Sequence, residues 1–187
     1  MPGRPSFDCS HSAVVLLIYE SFVEYYFGRD VTRPFPFSQY PNVETLGFRI
    51  LQRFSRNMLC MTRDSRRLGP SGIPRPPEAC YQDEFYRCLF NEVGSGIGIS
   101  SEWSGSGPGR IDFYVIGPGW GYELLREGDR LKEHCNRFLP NGAYYRSIQQ
   151  GGITDWLIID CRHSQPRATC KDVSFCIYMY VHVLANS

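Results

Sequence analysis

Lysine is almost missing from this chain: of twenty basic residues, eighteen are Arg and two are Lys. Long apolar runs are missing too. The longest early one, Ala13 to Ile18, leads straight to Glu20 and Glu24. It falls well short of the roughly 18 residues that cross a bilayer, so no membrane span or membrane partner is expected. No small-residue cleavage site follows it, so no secretory leader of the usual kind is expected either. The eight Cys, at 9, 60, 80, 88, 135, 161, 170 and 176, form no C-x-x-C pair. A chain of 187 residues does not need disulfides to hold a core, so reduced thiols in a cytosolic or nuclear setting are expected. His134-Cys135 and Cys161-x-His163 are the only local hints of zinc, and neither has the usual ligand spacing. No G-x-x-x-x-G-K-[ST] phosphate loop occurs. GSGIGIS at 94–100 lacks the Lys and precedes a strand rather than a helix, so it reads as a strand entry.

What is present is enough for one domain of ordinary size. With 42% hydrophobic and 21% charged residues, global disorder is excluded. The net charge of +1 hides an asymmetry: ten Arg and six acids before residue 76, ten basic residues and thirteen acids after it. Between Arg49 and Arg75 there are seven Arg and one acid, Asp64. Arg is the better fork for phosphate oxygens. Arg49, Arg53, Arg56, Arg63, Arg66 and Arg67 are therefore the candidate nucleic-acid contacts, with a solvated helix face as the plainer reading. Such contacts would be sequence-independent and sensitive to salt.

Periodicity predicts a helix over 13–27. Pro and aromatics break the chain over 28–42. A second helix, capped by Asn42, spans 44–61 with Leu46, Ile50, Leu51, Phe54 and Met58 in helical spacing. GPSGIPRPP at 69–77 reads as a linker, dividing an N-terminal helical segment, 1–75, from a core, 76–187. After it come a helix over 78–93, a short strand over 96–102, the loop SGSGPG, strands over 110–116 and 120–126 about a Gly117-Pro118-Gly119 turn, and a helix over 128–138. A loop-like stretch follows over 139–154, then an apolar strand over 155–161 and a final strand within 173–184.

The hairpin carries the chemistry. Asp112 and Glu123 lie equally far from the turn, which sets them nearly opposite on antiparallel strands with Cβ atoms roughly 5 Å apart. Two like charges so placed repel unless a metal or a proton intervenes. Glu84, mid-helix before the sheet, is the candidate third acid. Oxygen-rich sites of this kind suit Mg²⁺, which uses one or two carboxylates and keeps several waters. The plainer reading pairs the two acids with solvent, or with Arg110 and Arg126. The same spacing also fits a retaining glycosidase, but no set of sugar-stacking aromatics accompanies it.

The run GRIDFYV-IGPG-WGYELLREGDRLKEHCNRF, with DWLIIDCR after it and YQDEFYRCL before it, resembles the C-terminal nuclease-like domain of Crinkler-type proteins of fungi and oomycetes. That domain belongs to the PD-(D/E)xK restriction-endonuclease-like superfamily. The likeness covers about residues 44–162. It implies an α/β fold with an αβββαβ core, a mixed central sheet and an additional N-terminal helical segment. It also implies Mg²⁺- or Mn²⁺-dependent hydrolysis of a DNA phosphodiester, with Glu84, Asp112 and Glu123 on the metal. Leu125 stands where the motif has Lys. Arg126 should point to the opposite face. Lys132, in the next helix, takes the place to which that Lys is displaced in some members, so Lys132 and Arg126 are the candidate cations, with Arg130 another on the same helix. The resemblance further implies secretion and entry into a host nucleus, with a cytoplasmic location as the alternative. A second expectation is a catalytically inactive module of this fold that binds nucleic acid or a host protein.

Overall fold

The computed structural model describes residues 33–61, 67–68, 74–75, 78–162 and 176–180. The helix expected over 13–27 lies outside them.

Helix α1, Val43–Gln52, starts where Asn42 predicts it. The Asn42 Oδ1 accepts from the Thr45 amide at 2.8 Å and from its hydroxyl at 2.6 Å, satisfying one of the orphan amides of the first turn. The expected helix over 44–61 is in fact two. It breaks after Gln52 and resumes as α2, Arg56–Met61. The break turns Phe54 inward, with its ring 6.5 Å from Phe85, and frees the Ser55 amide to donate to Glu84. β1 (Arg67–Leu68), just before the stretch read as a linker, and β2 (Pro74–Arg75), inside it, form a short antiparallel bridge.

Helix α3, Glu78–Val93, begins directly after Pro76-Pro77 and buries Tyr81, Phe85, Cys88 and Leu89, which fall on one face at helical spacing. The strands β3 (Ile99–Trp103), β4 (Ile111–Val115) and β5 (Trp120–Arg126) follow. Helices α4 (Leu131–Phe138) and α5 (Tyr145–Gln149) come next, then β6 (Asp155–Arg162) and β7 (Cys176–Tyr180). Helix α5 lies inside the stretch read as loop.

The strands form one mixed sheet in the order β3-β4-β5-β6-β7. The pairs β3–β4 and β4–β5 are antiparallel, and β5–β6 and β6–β7 are parallel. The fold is therefore mixed α/β, and between residues 78 and 162 its elements run helix, three strands, helices, strand. Both faces of β5 are covered, so its seven residues are buried but for Arg126. On one face, Tyr122, Leu124, Leu157 and Ile159 pack with Val43, Leu46 and Ile50 of α1 and Phe85 and Leu89 of α3. On the other, Tyr114, Leu125 and Ile158 pack with Phe138, Tyr144 and Ile153. The Tyr122 hydroxyl donates to the Val43 carbonyl at 3.1 Å, tying α1 to the central strand. Helix α1 thus shares the core of the sheet, and the boundary expected at residue 75 does not divide that core.

Candidate functional site

The ladder between β4 and β5 runs Val115↔Trp120, Tyr114↔Gly121, Phe113↔Tyr122, and stops there. One residue further, Asp112 and Glu123 come opposite one another. The Asp112 Oδ2 accepts from the Leu124 amide at 2.8 Å, so a side chain takes over from the backbone where the ladder ends. No other hydrogen bond engages this carboxyl among the described residues. Burial pushes the Asp112 carboxyl up to about 7, the charge of Glu123 pushes the same way, and the Leu124 amide works against both. Glu102 and Glu78 add further negative potential.

Alternation along β5 sends Tyr122 and Leu124 to the α1–α3 face and Glu123 to the α4 face. Glu123 is fully buried there. Its Oε1 meets the Tyr144 hydroxyl. Its Oε2 meets His134 Nδ1 at 2.6 Å and Arg137 Nη1 at 3.4 Å. With Glu123 ionised, the proton in this contact sits on His134 Nδ1, since a carboxylate only accepts. Burial and the facing Glu123 charge raise the Tyr144 phenol well above its ordinary value, so it remains a donor. Three of the roughly four acceptor positions of the Glu123 carboxylate are thus taken by protein donors.

Glu84 is turned elsewhere. It is buried on α3, with Oε1 accepting from Arg87 Nη2 at 2.6 Å and from the Ser55 amide, and Oε2 accepting from Arg87 Nε at 2.7 Å. Burial opposes its charge, but Arg87 and the Ser55 amide outweigh that and hold the carboxyl below its ordinary value. The α3 acid whose charge reaches Asp112 is Glu78, at the start of the helix. Glu78 also lies in the electrostatic field of His134, Asp129, Arg130 and Arg126, and burial raises its carboxyl.

The cations are arranged differently from the sequence expectation. Lys132 is exposed on α4. It lies two residues from His134, about 200° round the helix, so it points away from Glu123. Arg130 is exposed and pairs loosely with Asp129 at 3.7 Å. Arg126 falls on the face opposite Glu123, as strand alternation requires, and its buried Nε has no hydrogen-bond partner among the described residues. Arg110 is exposed and 3.7 Å from Glu102, so neither it nor Arg126 bridges the acid pair. The cation on Glu123 is Arg137, three residues from His134 on the same face of α4. Leu125, which the resemblance sets where the motif has Lys, is buried against the α4 side of the core.

Among the candidate phosphate contacts, Arg49 and Arg53 are exposed on and just after α1, and Arg53 pairs with Glu92. Arg63 and Arg66 lie outside the described residues, as do the side chains of Arg56 and Arg67.

A further buried acid lies on the strand next to β5. Asp160, fully buried on β6, is aligned with Leu125. Its Oδ1 accepts from the Gly128 amide at 2.8 Å, and its Oδ2 pairs with Arg162 Nε at 2.5 Å. It anchors the left-handed loop in which Glu127, Gly128 and Arg130 have φ of 56°, 71° and 48°. That loop launches α4, and with it His134 and Arg137.

Sequence reasoning overlooked His134, Arg137 and Tyr144 as partners of Glu123. The first two had a signal: His134, Arg137 and Phe138 fall on one face of a short amphipathic helix. Tyr144 had none, because its reach depends on how the loop after α4 folds back.

Among the described residues no three His, Cys, Asp or Glu side chains converge so as to hold one ion. The donor chemistry at Asp112 and Glu123 nonetheless fits a hard cation: one carboxyl has an unengaged oxygen, its neighbour retains an acceptor position, and water completes such a shell. Comparisons with protein-family models, curated proteins and solved structures find no match.

Proposed function

We propose that this chain is a nuclease-like domain of the PD-(D/E)xK kind. In this reading it holds Mg²⁺ or Mn²⁺ on Asp112 and Glu123 and hydrolyses DNA phosphodiester bonds. The observation that carries it is the Asp112 carboxyl, raised to about 7 beside Glu123 where β4 and β5 part. Two desolvated acids in that relation draw in a proton or a cation. When bound, the cation would polarise the phosphate and lower the pKa of a water bound to it. The chain's own residues do the rest: Asp112 offers the unengaged oxygen, Glu123 is held by three donors, and Glu78 is the α3 acid nearest in electrostatic terms. Arg137 takes the neutralising part that the sequence assigned to Lys132 or Arg126. The exposed Arg49 is the described candidate for a sequence-independent phosphate contact. Delivery to a host nucleus after secretion belongs to the same proposal and rests on the resemblance alone.

A second reading has its own support. Tyr144, His134 and Arg137 occupy most of the Glu123 carboxylate, Lys132 faces solvent, and Leu125 is buried where the motif has Lys. A domain so built could bind nucleic acid or a host protein without cutting.

Plasmid nicking separates the two. Wild type, Asp112→Ala and Glu123→Gln are incubated with supercoiled DNA in Mg²⁺, in Mn²⁺ and in chelator. Metal-dependent nicking lost in both variants supports the first reading. Retardation of DNA without cleavage, the same in all three proteins, supports the second.

A further inference from the structure

We infer that Tyr144 is a positioning residue for the Glu123 carboxylate, fixed in its turn by the glycine-rich loop 104–109. The inference deepens, and rests on, the reading of Asp112 and Glu123 as the site.

A glutamate carboxylate turns freely about its last side-chain bond. Here Oε1 lies on the Tyr144 hydroxyl while Oε2 lies on His134 and Arg137, so one orientation of the group satisfies all three donors. The two sets of donors come from separate pieces of chain. His134 and Arg137 ride on α4, and Tyr144 stands immediately before α5. Each set alone leaves the carboxylate a hinge; together they fix its plane beside Asp112. A buried charge kept only for stability is commonly matched or bettered by an apolar residue of similar volume. Three convergent donors on a fully buried carboxylate, next to an acid with an unengaged oxygen, are better explained by orientation.

The loop explains how Tyr144 keeps its place. A methyl group added at Gly109 would stand 2.5 Å from Tyr144 Cε1 and 2.9 Å from Ala143 Cβ. One added at Gly107 would collide with the Ala143 carbonyl. The Ser106 amide donates to Ser147 Oγ at 3.2 Å, closing the contact on the far side of Tyr144. From behind, the Phe138 ring lies 4.8 Å away, and the Tyr144 amide donates to the Arg137 carbonyl at 2.8 Å. The hydroxyl also lies 2.5 Å from the Arg110 carbonyl, the residue that joins the glycine loop to β4, so its one proton is shared between that carbonyl and Glu123. The glycines therefore allow two backbones to meet and clamp the ring whose oxygen meets Glu123.

Two variants test this. Tyr144→Phe keeps the ring and removes only the hydroxyl. Gly109→Ala pushes on the ring from outside the site. The first readout needs no metal: the nitrogen-bound proton of His134 Nδ1, followed by NMR, reports whether Glu123 still accepts from it. The second is Mn²⁺ affinity by electron paramagnetic resonance, with Asp112→Asn as the control. In wild type the His134 proton should be protected from exchange. In Tyr144→Phe it should be lost or exchange at least ~10-fold faster while the chain stays folded, and Mn²⁺ affinity should drop ~10-fold or more, the usual effect of removing an outer partner of a ligand. Gly109→Ala should follow in the same direction; if it fails to fold, Tyr144→Phe decides alone. An unchanged His134 proton in folded Tyr144→Phe overturns the inference, with or without metal. Wild type that does not bind Mn²⁺, or binds it equally in Asp112→Asn, sinks the cation site instead, and the NMR result still decides the role of Tyr144.

Discussion

The Ser55 amide donates to the Glu84 carboxylate across the gap between α1 and α2, and Arg87 closes on the same carboxylate from one turn along α3. Glu84 thus joins three helices at the break in what the sequence presents as one helix. Glu84→Gln keeps an acceptor for Ser55 but loses the charged partner of Arg87. It should destabilise the fold by about 1–3 kcal/mol and leave Mn²⁺ affinity unchanged. Thermal melting and a metal titration on one preparation check both halves.

Asp112 should make stability depend on pH in a defined sense. Its folded carboxyl titrates at about 7, against an unfolded value near 4. Between those values the folded chain holds a proton that the unfolded chain has released, so stability falls as pH rises through that window. Asp112→Asn keeps an acceptor for the Leu124 amide and removes the titration. It should match wild type near pH 4 and exceed it by roughly 4 kcal/mol at pH 8. Urea midpoints across the range measure the gap. Added Mg²⁺ at pH 8 should narrow it by stabilising wild type alone.

Asp160 predicts a larger loss. Asp160→Ala leaves Arg162 without that partner and the Gly128 amide without its acceptor in a fully buried position. Breaking such a pair costs about 3–5 kcal/mol. The exchange of amides in residues 127–131 should quicken more than that of amides in β4, because the left-handed loop loses its anchor.

Tyr122→Phe isolates the tie between β5 and α1. It removes one buried hydrogen bond and leaves the Val43 carbonyl without that donor, for about 1 kcal/mol. Denaturant unfolding should show one transition, shifted as a whole, since α1 and the sheet share a core.

Local signals marked out much of the fold. Pro76-Pro77 sets the start of α3, and its apolar spacing carries the helix to Val93, so both ends match the expected 78–93. WGYELLR is β5 to the residue. The Asn42 cap starts α1. The break between Gln52 and Arg56 was not legible, because Leu46, Ile50, Leu51, Phe54 and Met58 keep helical spacing across it while Glu84, which accepts from the Ser55 amide there, is remote in sequence. Asp112 and Glu123 were legible as opposite residues from turn symmetry. The direction of Glu84, the exposure of Lys132 and the arrival of Tyr144 at Glu123 each depend on helix rotation or loop packing, which spacing does not encode. The glycine loop was visible as glycines, but the close approach that requires them needed Ala143 and Tyr144 in place.

The placement of α1 bears on how this chain can be dissected. A fragment begun at Pro76 would strip the cover from Leu157 and Ile159 and leave an oily surface in water. Such a piece would clump, and inactivity measured on it would say nothing about the acids on the other side. The arginine-rich stretch is thus no detachable handle: part of it is one wall of the house in which the hairpin stands.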